Sequence, residues 1–320
     1  MQQELKKEII TLCGRDNISA LHKISQQKTI LDTIQILTFY FLNFLCLIYS
    51  YKLSYLLSFS LLPLFMMINS IIFNWINVQC HEASHKLLFN NKKINDTYFN
   101  YILGFFCFHD VDTYRLTHRN HHDHLHSDKD PDLRVYTEHT NHKSFLNLIL
   151  LDMLGITAIK KIFEIIKSKN YKSNIKLLIF KILYQLIILL ILVYFTNIIF
   201  GLIFFFFMQI YPLFCIFPIL IRIRTIVQHY HPSISGGGGL NNKINEIWVS
   251  RSTQANLIER IIFGARMDYH FEHHLFPMIP HYNIKKLNFL LEKKNFFKTS
   301  INSNFLTSNF FNFFKKSIAS

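Results

Sequence analysis

Cysteine is scarce in this sequence, and its cysteines are not arranged in pairs. There are five among 320 residues, and most of them lie in or beside apolar runs. An odd number of cysteines without paired spacing predicts neither a disulfide framework nor a zinc site. The first thirty residues also lack a short apolar core followed by small residues, so we expect no removable signal peptide. The cysteines are Cys13, Cys46, Cys80, Cys107 and Cys215.

Acidic residues are fewer than basic ones, and the formal net charge is +14. No zinc-finger, basic-zipper or RNA-binding motif accompanies this charge, so we expect no nucleic-acid partner. Basic residues gather before the first apolar run and near the end of the chain. Because positive charge beside membrane spans favours the cytoplasmic side, both termini are predicted to be cytoplasmic, at a bacterial inner membrane or, in a eukaryote, the endoplasmic reticulum. These residues are Lys6, Lys7, Arg15, Lys23, Lys28, Lys293, Lys294, Lys298, Lys315 and Lys316.

Half of the residues are apolar, and they form long runs rather than an amphipathic pattern. Tyr51 and Lys52 separate the first two runs, and Thr196 and Asn197 separate the last two. Lys181, near the start of the third run, can extend its ammonium group to the interface and need not end the helix. We predict an all-α integral membrane protein with four transmembrane helices. The predicted spans are about 31–50, 53–77, 177–195 and 198–223.

The polar segments around the spans suggest three regions. We expect residues 1–30 to form a cytoplasmic N-terminal segment, 31–290 the membrane domain, and 291–320 a basic cytoplasmic tail. Between the second and third spans, Tyr98–Phe108 and Phe145–Ile159 are apolar but too short to cross a bilayer comfortably. They are predicted to be interfacial or re-entrant helices. The polar residues between the spans are expected to form a helical cap on the cytoplasmic side.

Three compact histidine clusters lie in these polar segments. On an α-helix, residues three and four apart share a face, so each cluster can direct its imidazoles toward one point. Two spans separate the second cluster from the third, and none separates the first from the second. All three clusters are therefore predicted to emerge on the same side of the membrane. They read His81-Glu-Ala-Ser-His85, His118-Arg-Asn-His121-His122 and His270-Phe-Glu-His273-His274.

Eight imidazole nitrogens are more than one metal ion needs. Two irons that each retain an open position for oxygen could use all eight and one more, so the clusters predict a non-haem di-iron centre. His229, directly after the fourth span, is the candidate ninth ligand. The alternative is that it contacts a ligand residue without binding the metal itself. Histidines at an interface can also simply bind water or lipid headgroups. Three clusters with ligand spacing favour the metal.

Four acidic residues near the clusters are candidates to accept hydrogen bonds from ligand imidazoles and orient them. Asp130 and Asp132 follow the second cluster, Glu82 lies within the first, and Asp268 precedes the third. For the aspartates after the second cluster, which include Asp128, a solvated loop is the alternative. The other histidines lack paired spacing or lie in expected loops, which predicts surface or hydrogen-bonding roles. They are His22, His109, His124, His126, His139, His142, His231 and His281.

These motifs resemble those of the membrane fatty-acid desaturases. The three clusters, Asp130-Pro131-Asp132 and His270-Phe-Glu-His-His-Leu-Phe-Pro277 carry the similarity, which extends from about Asn77 to Leu287. The sequence departs from the family in having Asp268 where many relatives have asparagine. It also departs in the Gly236–Gly239 run, which we interpret as a flexible connection.

The resemblance implies an O2-dependent oxidoreductase that introduces a double bond into an acyl chain of a lipid or fatty acid. In that family the clusters bind two irons, so the resemblance implies that their eight histidines are iron ligands and predicts no catalytic residue beyond the ligands. His-Pro-Gly-Gly and ferredoxin cysteine patterns are missing. Electrons are therefore expected from a separate donor, such as ferredoxin or cytochrome b5 with a reductase.

Three other functions fit parts of the sequence. A lipid hydroxylase or a carotenoid ketolase/hydroxylase has the same histidine clusters. His81-Glu82-Ala-Ser-His85 also fits the zinc-protease pattern, with Glu82 as general base, but a protease leaves two clusters unused. A transporter or metal-handling protein predicts ionisable residues inside the spans, and these are nearly lacking.

Overall fold

The computed structural model describes most of the chain as helix, with a few short irregular segments. Two short strands, β1 (Ser252–Thr253) and β2 (Leu306–Thr307), pair in parallel and form the sheet of the described part. The predicted all-α class is therefore confirmed apart from this small pairing. The described residues are 2–107, 110–137, 142–167, 174–229, 250–253, 255–264, 267–298, 306–307, 314–315 and 318.

Four helical stretches in the described part are long and apolar enough to cross a membrane, as predicted. They contain 28, 30, 21 and 32 residues, and about 20 helical residues cross a hydrocarbon core. Many leucine, isoleucine and phenylalanine side chains on them point outward, as expected for helices solvated by lipid. These stretches are α3 (Gln26–Leu53), α4 (Tyr55–Ser84), α10 (Ile175–Phe195) and the fourth span (Ile198–His229).

The joint between the first two spans differs from the prediction. Tyr51 and Lys52 remain helical, and the chain breaks at Ser54, whose backbone is extended (φ −165°) while its N–H still donates to the Ser50 carbonyl. Neither Tyr51 nor Lys52 opposes helix formation, and a lysine in the last turn is favourable beside the helix carbonyl ends. The joint between the last two spans falls at Thr196 and Asn197, as predicted.

The fourth span is not a uniform α-helix. It begins as α11 (Ile198–Phe205), passes through two π-helical segments, Phe206–Ile210 and Pro212–Ile216, and ends as α12 (Phe217–His229). In a π-helix the backbone hydrogen bonds follow a different pattern from those of an α-helix, and a carbonyl group here accepts a side-chain hydrogen bond from the second span. Asn69 donates to the Met208 carbonyl at 2.5 Å. The helical stretch continues to His229, beyond the predicted end of the span near residue 223.

Lys181, predicted to extend its ammonium group to the interface, is covered by neighbouring helices. Its side chain is buried, with 3% exposed, on the inner face of α10. Glutamine follows one turn later: Gln185 accepts a hydrogen bond from Gln209, which in turn accepts one from Tyr40. The inner face of the third span therefore includes polar side chains, and Gln185 is hydrogen-bonded to the fourth span.

Shorter helices surround the ends of the spans. The predicted short apolar segments do not form single helices: Phe99–Leu103 is a π-helical turn, and the positive φ of Gly155 (71°) divides the second segment. The shorter helices are α1 (Gln2–Cys13), α2 (Arg15–Leu21), α5 (Lys92–Tyr98), α6 (Val111–His124), α7 (Leu133–Thr137), α8 (His142–Met153), α9 (Ile156–Lys167), α13 (Leu257–Phe263), α14 (His270–Leu275) and α15 (His281–Lys293).

Two main apolar cores hold these elements. One lies between the spans and includes Phe73 and Phe204. The other joins the two ends of the chain, because Ile9 and Ile18 of α1 and α2 are buried with Leu287 of α15. The N-terminal segment is therefore packed onto the helices that follow the third histidine cluster.

Candidate metal centre

The first histidine cluster lies where the second span ends. His81 is in the last turn of α4, and His85 follows the last helical residue. The carbonyl groups of Ala83 and Ser84 at this helix end accept hydrogen bonds from the Arg115 guanidinium, at 3.0 and 2.9 Å. Since Arg115 belongs to α6, it joins the helix of the first cluster to that of the second.

The second cluster is carried by α6. The helix begins after Asp110, whose carboxylate accepts a hydrogen bond from the Asp112 N–H at 2.9 Å and so caps the helix. His118, His121 and His122 lie in its last two turns. Their spacing places His118 and His122 on the face toward the first cluster. His121 points instead toward His229, His270 and His274.

The third cluster is carried by α14, a short helix anchored on both sides. The Ser250 hydroxyl donates to the His270 carbonyl at 3.1 Å. Inside the cluster, Glu272 is fully buried and accepts hydrogen bonds from Ser252 of β1 and from Asn288 of α15. Burial raises the pKa of Glu272 to about 7. Glu272 is not among the residues predicted from the sequence, although its position between ligand-spaced histidines was an available signal.

The structure brings nine histidines together in two adjacent groups. Each residue offers one ring nitrogen, and within a group these nitrogens all lie within 4.8 Å of one another. His229, at the end of the fourth span, joins the second group, so the tertiary structure places it beside the three sequence clusters. The first group is His81, His85, His118, His122 and His273; the second is His121, His229, His270 and His274.

The distances inside the groups fit metal ions. Ligand nitrogens about 2.1 Å from one ion and at right angles are about 3.0 Å apart. In the first group, Nε2 of His118 is 3.0 Å from Nε2 of both His85 and His122, and in the second, Nε2 of His270 is 2.8 Å from that of His229. An imidazole nitrogen carries either a proton or a lone pair, so His118 cannot donate to one neighbour while accepting from the other. A shared cation explains why several Nε2 atoms converge.

Electrostatics keeps most of these imidazoles neutral. Burial, and then the neighbouring imidazoles, hold the pKa values of six of the cluster histidines well below the usual range; for His85 the pKa falls to about 3. A neutral imidazole has the free lone pair that a metal ligand needs. The same direction holds for His118, His122, His270, His273 and His274.

Asp130, one of the four acidic candidates, contacts His121. Its carboxylate is 2.9 Å from Nδ1 of His121 and also accepts hydrogen bonds from the Tyr136 hydroxyl and the His126 and Asp132 backbone N–H groups. Burial alone would lower the pKa of His121, but Asp130 raises it. With its proton on Nδ1, His121 turns Nε2 toward the second group.

Glu82 contacts a histidine of the first group in the same way as Asp130 contacts His121. Its Oε1 is 3.2 Å from Nδ1 of His81, on the opposite side of the ring from Nε2. A metalloprotease requires its glutamate to face the metal-bound water. In this structure Glu82 lies behind His81, which contradicts the zinc-protease interpretation.

The other two acidic candidates make no comparable contact with a cluster histidine in the described part of the chain. Asp132 lies 3.7 Å from Lys161 near the surface. Asp268 accepts a hydrogen bond from Arg260 at 3.2 Å, and burial raises its pKa to about 6. Asp128 is exposed, as in the solvated-loop alternative. Sequence proximity alone did not distinguish these residues from Asp130.

The remaining histidines divide between surface and interior. His142 is exposed, and His22 is hydrogen-bonded within its own helical turn, as expected. His126 and His281 are buried rather than at the surface. His281 is hydrogen-bonded, and the His126 ring lies at an angle against the rings of Tyr136 and His229. The predictions for His109, His139, His231 and Gly236–Gly239 lie outside the described residues.

We predict that Asp130→Asn lowers the metal affinity of the second group about 10- to 100-fold, because the hydrogen bond that orients His121 is weakened. Metal content of the purified protein during titration with a chelator measures this effect. Asp132→Asn is the matched control and should leave metal content unchanged. Equal losses in both variants would contradict the assignment of Asp130.

A bundle of four apolar helices that ends in two groups of histidines defines a membrane protein with a candidate two-metal centre. The family model "Fatty acid desaturase" matches residues 25–294. The chain belongs to the fatty acid desaturase family. A search of curated proteins returned no match for this chain.

Proposed function

We propose that this protein is a membrane-bound di-iron oxygenase that introduces a double bond into an acyl chain, using O2 and electrons from a separate donor. The observation that carries the proposal is the division of nine buried or half-buried histidines into groups of five and four within one desaturase-family chain. Family membership supports an oxidoreductase, and the geometry supports two metal ions rather than one.

Under this proposal the first group holds one iron and the second group holds the other. Imidazole ligands suit iron as well as zinc or copper, so the iron identity is supported by family membership. Five imidazoles in the first group and four in the second would hold the two ions without using every coordination position, so that O2 could bind beside them. When bound, the two irons supply the oxidising power to remove hydrogen from an unactivated C–H bond.

The protein residues contribute orientation and charge. Asp130 and Glu82 accept hydrogen bonds from the His121 and His81 imidazoles and would bring negative charge beside the two irons. Arg115 and Glu272 hold the helices that carry the clusters. In the overall reaction, two hydrogens leave the acyl chain, and O2 takes these with two further electrons and two protons to give two waters.

We further propose that the lipid or acyl substrate enters from the bilayer and that the centre faces the cytoplasm. The first cluster and His229 lie at the ends of the second and fourth spans, so the centre is at one end of the bundle. Basic residues before the first span support a cytoplasmic location for that end and for both termini. An electron donor such as ferredoxin, or cytochrome b5 with its reductase, would then approach from the cytoplasm.

Mass spectrometry of lipids from cells with and without the protein tests this function. We expect lipids that have lost two hydrogens and gained a double bond. Lipids that have gained an oxygen atom would instead indicate a hydroxylase or ketolase with the same centre. Purified protein that takes up no iron would contradict both. A His118→Ala variant, expressed to the same level, controls for effects of expression.

A further inference from the structure

His281 occupies an unusual position for a histidine outside the three clusters. It is the first residue of α15, its side chain is buried, and its ring lies between two carboxylates. Nε2 is 3.1 Å from Oδ2 of Asp32 at the start of the first span. On the other side, Nδ1 is 3.1 Å from Oε2 of Glu82, and the His281 backbone N–H donates to the same oxygen at 2.9 Å.

These contacts continue to the candidate metal centre. The second oxygen of Glu82 is 3.2 Å from Nδ1 of His81, a member of the five-histidine group. Asp32, His281, Glu82 and His81 therefore form one chain of polar contacts. It begins at a side chain that is 29% exposed and ends at an imidazole that is almost fully buried.

We propose that His281 is a positioning residue for the metal centre: it fixes the Glu82 carboxylate, which in turn orients His81. The inference rests on the proposed function insofar as the five-histidine group holds a metal ion. Glu82 is fully buried, and a buried carboxylate needs partners for both oxygens. Its described partners are His81 on one oxygen and His281 on the other. On the His281 side the backbone N–H donates the hydrogen bond, and the ring lies at ion-pair distance from the same oxygen. The ring therefore acts on this carboxylate through its charge, and His281→Ala removes that contact while keeping the backbone hydrogen bond.

The charge of His281 fits this role. Burial alone would lower its pKa, but Glu82 and Asp32 raise it to about 9, so the ring is cationic at neutral pH. A cation between two carboxylates compensates buried negative charge. A small cavity bordered by Glu82, His270 and His281 lies beside this contact, so the ring also limits the space behind the third cluster.

A purely structural role, attaching α15 to α2 and to the start of the first span, is already filled by neighbouring residues. The Tyr282 hydroxyl accepts a hydrogen bond from the Ser25 N–H at 2.6 Å, and the Lys28 ammonium lies 4.7 Å from the Tyr282 ring centre. The Asn283 amide donates to the Leu21 carbonyl at 3.0 Å. Loss of the His281 ring therefore leaves the helix attached, which allows the two roles to be separated.

The test compares His281→Ala with Tyr282→Phe in full-length protein loaded with ⁵⁷Fe. Tyr282→Phe is the matched control, because it removes an attachment of the same helix without touching Glu82. We expect His281→Ala to change the Mössbauer signal of one of the two irons and to lower activity about 10- to 100-fold, while Tyr282→Phe leaves both signals unchanged. Glu82→Gln should change the same signal, and the double variant His281→Ala/Glu82→Gln should be no worse than Glu82→Gln.

The outcomes separate this inference from the proposed function. Wild-type protein that takes up no iron contradicts the proposed function. In that case the same variants are loaded with cobalt(II), whose visible absorption reports its ligands, and the positioning role is still tested. A wild-type spectrum in folded His281→Ala protein overturns the positioning role and leaves the di-iron proposal intact. Equal spectral changes in His281→Ala and Tyr282→Phe would also overturn it, because they indicate a structural effect.

Discussion

Replacing His121 with alanine is expected to abolish formation of oxidised lipid while leaving membrane insertion intact. His121 lies on α6 outside the four spans, so its loss does not alter a membrane helix. Its ring belongs to the four-histidine group, which has the fewest ligands to lose. Because residues that only orient a ligand contribute about 10- to 100-fold, we expect deletion of a ligand to cost more than about 100-fold in activity.

The control for this variant is His124→Ala, one turn further along the same helix. His124 is partly buried but belongs to neither histidine group. Lipid product by mass spectrometry, iron per chain and the amount of protein in the membrane are measured together for both variants. Full activity in His121→Ala, or equal losses in both variants, would show that His121 is not a ligand.

Replacing Asp152 with alanine is expected to destabilise the protein by about 3–5 kcal/mol, because it leaves the charge of Arg222 buried without its partner. The Asp152 carboxylate is fully buried and accepts two hydrogen bonds from Arg222, at 2.6 and 3.0 Å. Asp152 also accepts one from Thr157 of α9. This ion pair joins α8 and α9 to the part of the fourth span that ends at His229.

Unfolding of detergent-solubilised protein measures this second effect. Asp123→Ala breaks the exposed pair of Asp123 with Arg119, and we expect a change of at most about 1 kcal/mol. A double variant, Asp152→Leu with Arg222→Met, should recover much of the lost stability, since an apolar pair of similar volume can replace a buried ion pair. If Asp152→Ala unfolds like the wild type, the pair is not a stabilising contact between the cap and the span.

The number of spans could be predicted because bilayer thickness sets a length that apolar runs either reach or do not reach. Their ends could not be predicted as well. The first span continues through Lys52 to Leu53, and the fourth changes to π-helix at Phe206, because these details depend on hydrogen bonds between helices, such as that from Asn69 to Met208. Burial of Lys181 also depends on neighbouring helices rather than on its own run.

By itself, the sequence determined the membrane class, the three ligand-spaced clusters and their appearance on one side of the bilayer, because these follow from run lengths and helical periodicity. Only the tertiary structure decided how nine histidines divide between two groups, that Asp130 and not Asp132 contacts a cluster histidine, and that His281 reaches Glu82. Those outcomes depend on distances between side chains that are far apart in the chain or that face different ways in one loop. Such distances exist only once helices from both halves of the chain have packed together.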